Sequence, residues 1–297
     1  SHLLRYSTIV MSEIPFLTCS IALFYLFSLS PQELSWKTPR FGAILLLVVA
    51  AIYLRTAGIA LLFGVLFHLI LSKQWKSGGI LLLGSLLLLL PWQLRSAGVP
   101  GDSYSSQLLM VNPYREELGT VGIPELWNRF IANLARYIHA EIPSGMLPFF
   151  EVSYKGKFSE WMIGLLLIAL VLWGLWKLPR GRSLVGGVLI GSFGILLLWP
   201  EVWNGVRFLL GVLPLLVMLA IWGLFDLIRR ISPHAVTIPM VMALLFLFTL
   251  KPLHAMAQKD YHPVWKNYIR IAEWVKENVS SSVVVIARKP TLFWYWS

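Results

Sequence analysis

Apolar residues in this chain come in long blocks, and short polar stretches between them carry most of the charge. The first blocks run from about Glu13 to Ser30, Phe41 to Leu54, Ile59 to Leu71 and Ile80 to Trp92. A polar stretch follows, and the pattern resumes with Trp161 to Trp176, Leu184 to Trp199, Phe208 to Ile228 and Val236 to Leu250. A helix needs about 20 apolar residues to cross the hydrocarbon of a bilayer. The blocks approach that length and predict an all-α polytopic membrane bundle of about eight crossings.

The two longest polar stretches carry structure of their own. In the loop 96–159, Leu126, Phe130, Leu134 and Ile138 recur at helical spacing behind Pro124, which predicts an amphipathic helix from Ile123 to Tyr137 that could lie on the membrane surface. The tail predicts a helix from Pro263 to Val275 and a strand from Ser282 to Ala287, joined by a turn at Asn278 and the following serines. Residues 1–252 thus form a transmembrane helical domain that includes the loop, and 253–297 begin a small α/β appendage.

Composition removes the soluble alternative. Hydrophobic residues make up 57% and charged residues 13% of the chain, with a mean hydropathy of +0.72, whereas a soluble domain has about 25% charged residues. The net charge of +11 does not indicate nucleic acid, because the basic residues are scattered between apolar blocks instead of gathered on one face. Their distribution reports sidedness. Lys37, Arg40, Lys73, Lys76, Lys177, Arg180, Arg182, Arg229 and Arg230 fall in alternate connections, against one acid there, Glu33. By the positive-inside rule those connections are cytoplasmic. The loop 96–159, the turns at Arg55 and Arg207 and the C-terminal tail then share the outer side of the cell's inner (plasma) membrane. Cys19 is the only cysteine, so there is no disulfide framework, and no Cys/His spacing marks a zinc site. The chain opens Ser1-His2-Leu3-Leu4 without an initiator Met or signal-peptide pattern, which predicts a fragment of a longer protein.

Ionisable groups at the outward ends of spans are the candidate site, since a charge within hydrocarbon costs roughly 2.5–3.5 kcal/mol or more unless it faces a cavity or a partner. Glu13 precedes Pro15 at a helix start and suits either a capping carboxylate or a site residue. Arg55 breaks the apolar stretch from Phe41 to Leu71 into two helices meeting at a tight turn, where it either snorkels or clamps phosphate oxygens bidentately. Arg95 and Arg207 occupy matching outward ends, beside the interfacial tryptophans Trp92, Trp199 and Trp203. Three outward arginines with one carboxylate fit an anionic, phosphorylated ligand. His139 and Glu141 have the chemistry of metal ligands or acid/base groups, but a pair two residues apart has no diagnostic spacing and reads as ordinary loop residues. His254, His262 and the Arg288-Lys289-Pro290 turn are similarly unspecific, although Lys289 suits a phosphate contact. Asn278-Val279-Ser280 fits a glycosylation sequon.

The chain resembles the polytopic GT-C glycosyltransferases, in particular bacterial members similar to dolichyl-phosphate-mannose protein mannosyltransferase and to the lipid A aminoarabinose transferase. The matching pieces are Tyr6 to Phe16, Leu54-Arg55-Thr56-Ala57-Gly58, Leu90 to Arg95, Arg207 to Pro214 and Val283 to Pro290, in that order along nearly the whole chain. The resemblance implies an inverting transfer of a sugar from a polyprenyl-phosphate or dolichyl-phosphate carrier to an extracytoplasmic acceptor lipid, glycan or protein. It implies that Glu13 is an auxiliary acidic position, that Arg55, Arg95 and Arg207 hold the carrier phosphate, and that the principal catalytic acid lies upstream, leaving this chain inactive alone. It leaves a divalent metal cofactor open. A membrane transporter or a flippase for lipid-linked sugars is the alternative; such proteins often carry paired helix interruptions, whereas one interruption, at Arg55, is visible here. A noncatalytic scaffold would leave the outward arginines without a use.

Overall fold

The computed structural model describes residues 12–29, 34–97, 104–147, 154–231 and 263–280, together with isolated positions between and after them. The chain divides into two compact units, Ser1–Thr249 and Leu250–Ser297. Among the described residues the protein is mostly helical and has no strand, only an isolated antiparallel bridge between Met110 and Thr120. In the first unit the helices are α1 (Glu13–Leu29), α2 (Pro39–Leu54), α3 (Ile59–Leu71), α4 (Trp75–Ala97), α5 (Tyr104–Leu109), α6 (Ile123–Arg136), α7 (Ile142–Met146), α8 (Phe158–Lys177), α9 (Arg182–Leu198) and α10 (Leu213–Ile231). The second unit contains α11 (Pro263–Asn278).

Two helices are long and apolar enough to cross a bilayer, Trp75–Arg95 within α4 and Phe158–Lys177. Four further apolar stretches, Glu13–Leu29, Pro39–Leu54, Thr56–Leu71 and Arg182–Leu198, are shorter. Of the eight or so crossings expected, two helices of spanning length are found among the described residues. The last expected crossing, Val236 to Leu250, falls almost entirely outside them, as do the strand Ser282 to Ala287, His262 and Lys289. Much of the apolar surface faces outward: Leu83, Leu86, Leu87 and Leu94 of α4 are all exposed. An apolar face of that size needs an apolar neighbour.

Small residues set the closest helix contacts. α3 and α9 run antiparallel with Ala60 against Gly191, Gly64 against Gly187 and Val188, and His68 Nδ1 2.6 Å from Ser183 Oγ. A Cβ at Gly64 would sit 2.8 Å from the Val188 nitrogen, so only glycine allows this approach. α8 and α10 meet in the same way, where a Cβ at Gly174 would fall 1.9 Å from the Leu219 carbonyl oxygen. Two apolar cores result, one built on α1, α2 and α3, the other on α8, α9 and α10.

Antiparallel packing gathers the basic connections at one end. The Leu34 amide donates to Gln74 Oε1 at 2.8 Å, tying the connection that carries Lys37 to the one that carries Lys73. The His68–Ser183 contact brings Arg182 to the same end, and Trp173 receives Arg230 over its ring. Residues 54–58, 92–95, 137–146 and 199–209 belong to the opposite end.

Candidate functional site

The break between α2 and α3 positions the first pair. α2 starts at Pro39, with Thr38 capping the Phe41 amide, and stops at Arg55, whose extended backbone (φ −155°, ψ 138°) leaves the helix. A single 3₁₀ turn, Thr56–Gly58, then leads into α3. Gly58 is required here because a Cβ would lie 2.5 Å from the backbone of Ala51 and Ile52. The tight turn leaves Arg55 at the helix ends, where its Nη1 makes an ion pair with Glu13 Oε1. Glu13 is buried in the first turn of α1 and Arg55 is largely buried. The two charges neutralise each other, while the remaining guanidinium N–H groups stay available for another acceptor.

Arg95 and Arg207 stand near this pair without joining it. Tyr53, two residues before Arg55, donates its hydroxyl to the Leu88 carbonyl at 2.8 Å and meets the Trp92 ring edge-on at 6.1 Å. Arg95 lies over Trp92, 5.9 Å from the ring centre. Arg207 sits in the 3₁₀ turn Val206–Leu209 and lies over Phe208 at 4.9 Å. Two residues after this turn the chain meets α1, where a Cβ at Gly211 would come within 2.6 Å of the Phe16 ring. The structure thus brings Glu13 and Arg55 together and sets Arg95 and Arg207 at the same end, exposed and paired with aromatic faces.

The second polar cluster was not legible in the sequence. α6 forms as expected, but its fully buried side chains are polar: Arg129 and Asn133 are buried, Leu126 and Phe130 are half-buried, and Ile123, Trp127, Ile131 and Leu134 are exposed. Arg129 donates to the carbonyls of Leu108 and Met110, both at 2.7 Å. Asn133 Nδ2 donates to the carbonyls of Leu197 (2.9 Å) and Trp199 (2.8 Å), and Arg136 Nη1 to that of Glu201 (2.9 Å). A π-helical turn, Tyr137–Glu141, then carries Glu141 into the interior, where its Oε1 accepts the Gly205 amide at 2.9 Å and lies 3.6 Å from Arg136 Nε. Three side chains of one helical unit, Asn133, Arg136 and Glu141, therefore hold the connection from α9 to the Arg207 turn. Gly205 adopts φ +111°, a conformation that favours glycine.

Glu141 is wholly buried, a placement that its spacing in the sequence does not foretell. In an uninterrupted α-helix the residues four, seven and eleven places after Arg129 share its face, namely Asn133, Arg136 and Ala140. The π turn holds one extra residue and puts Glu141 on that face in place of Ala140. Burial pushes the Glu141 carboxyl above the usual carboxylate range, against the opposing pull of the Gly205 amide and the Arg136 charge. Burial, followed by the Glu141 charge, likewise raises the Tyr137 and Tyr154 hydroxyls. His139 is buried against Trp161, ring centres 5.2 Å apart, which is a packing role. His254 is exposed. Among the described residues no three His, Cys, Asp or Glu side chains gather as a metal site.

No family model, no curated protein and no solved structure matches the chain. The functional reading therefore rests on the geometry and on the motifs in the sequence.

Proposed function

We propose that this chain belongs to a multi-pass inner-membrane glycosyltransferase that moves a sugar from a polyprenyl-phosphate carrier to an extracytoplasmic lipid, glycan or protein. The observation that carries the reading is the buried Glu13–Arg55 pair at a helix break, with Gly211, just after the Arg207 turn, against Phe16 of the Glu13 helix. In the reaction, the acceptor oxygen attacks the anomeric carbon and the bond from that carbon to the carrier phosphate breaks. The phosphate leaves with the bonding electrons, and the acceptor proton passes to a carboxylate. Fixed guanidinium groups in a site shielded from water stabilise the departing oxygens. Arg55 serves this role with the N–H groups that Glu13 does not use, Arg207 adds a second cation, and Arg95 suits the carrier as it enters. Glu13 orients Arg55 and does not take the proton. The basic end faces the cytoplasm, and the loop 96–159 and the tail face outward.

The test supplies the natural full-length protein, in proteoliposomes, with a radiolabelled polyprenyl-phosphate sugar. Label is expected in a glycosylated acceptor with the wild type and at least tenfold less with Arg55→Ala and Arg207→Ala, the range seen on removing one charge-stabilising donor being about 10²–10³. Wild-type rates in both variants would remove the phosphate assignment. Passage of the intact carrier across the bilayer with no new glycosidic bond would favour the flippase reading.

A further inference from the structure

We infer that the basic end of the protein carries a binding site for one anionic phospholipid, in a groove between the ends of α3, α8 and α9. The groove has a volume of ≈ 690 Å³ and opens to the outside of the bundle. Its walls are apolar: Phe67 and Leu71 from α3, Leu172 and Trp176 from α8. Charge appears only at its mouth, where the connection Leu178-Pro179-Arg180-Gly181-Arg182 contributes two arginines. Both are exposed, and among the described residues neither is ion-paired; Arg182 lies over the Trp176 ring at 5.5 Å. The first turn of α9 contains no acidic residue and no side chain caps its amides, and among the described residues lining the groove none is acidic.

The occupant follows from that polarity. A free phosphate would use the arginines and leave the apolar walls unfilled, whereas an acyl chain alone would leave the cations unmatched. A phospholipid with a net negative headgroup satisfies both, its chain along Phe67, Leu71, Leu172 and Trp176 and its phosphate between Arg180 and Arg182. The inference rests on the bilayer part of the proposed function and not on its transferase chemistry.

Native mass spectrometry of the purified full-length protein exchanged with phosphatidylglycerol or phosphatidylcholine tests it. One phosphatidylglycerol is expected to be retained in preference to phosphatidylcholine, and the double variant Arg180→Gln/Arg182→Gln to bind it roughly tenfold more weakly or worse. The control Lys37→Gln/Arg229→Gln removes the same charge elsewhere and should leave retention unchanged. Gly186→Leu fills the groove with the arginines intact; a Cβ there meets only Leu175 Cδ2, at 3.8 Å, and lipid retention should fall while the thermal midpoint, measured alongside, stays near that of the wild type. Equal retention of the two lipids, equal retention by wild type and the arginine variant, or displacement of phosphatidylglycerol by inorganic phosphate would overturn the site. Absence of retained lipid of either kind would overturn it too, and wild-type sugar transfer in the same preparation would show that the transferase reading survives.

Discussion

Glu13 and Arg55 each make the other tolerable. Removing one partner of a buried ion pair leaves an uncompensated charge and costs about 3–5 kcal/mol, while removing both together costs far less. Arg55→Ala should therefore lower the thermal midpoint in detergent more than Glu13→Gln/Arg55→Ala does, and the double variant should recover stability without recovering carrier use. Equal midpoints for the two would show that the pair contributes no coupling. Glu141 yields a pH prediction whose sign follows from its raised carboxyl. A group that holds its proton more tightly in the folded state stabilises below its ordinary range and loses that contribution as pH rises through the folded-state value. The wild type should lose thermal stability as pH rises above the ordinary carboxylate range, and Glu141→Gln, which keeps an acceptor for the Gly205 amide but cannot ionise, should lose less. Parallel pH curves for the two proteins would refute this. Glu141→Ala, lacking the acceptor, should speed hydrogen exchange across residues 200–210, whereas Glu141→Gln should not.

The helix contacts depend on side chains that are absent. Gly174→Ala forces a methyl group onto the Leu219 carbonyl, and overpacking of this kind costs about 1–3 kcal/mol or more; a lower thermal midpoint than Gly194→Ala, where a Cβ has open space, checks it. Most element boundaries were readable because apolar blocks end at charged or turn residues. Arg55 stopped α2 where expected, and α6 begins at Ile123 as expected. Which face of α6 turns inward was not readable. Apolar spacing normally marks the buried side, but in a protein whose outer surface is apolar that rule loses its direction, and Arg129 and Asn133 are buried instead. Burial of the polar face is explained only by carbonyls at the end of α9, some 65 residues further along, which no local pattern could supply.

The sorting of charge is a property of the whole first unit and was the most legible of its features, because positive residues in alternate connections need only an up-and-down packing to reach one end. Glu13 and Arg55 were likewise foreseeable as isolated charges in apolar sequence, whereas their pairing required the fold. Sidedness can be tested with a single-cysteine scan. After Cys19→Ser, a membrane-impermeant maleimide applied to intact cells should label Tyr114→Cys and not Lys177→Cys; labelling of both, or the reverse, would refute the assigned orientation. The wide turn at Tyr137–Glu141 has one last consequence. Its surplus residue makes this a place where the chain can change length without shifting what lies on either side. Excising Ala140 should convert the turn to ordinary helix, keep Glu141 aimed at Gly205 and leave a folded protein. Excising Ala132, where there is no slack, should throw the polar face out of register and cost the fold.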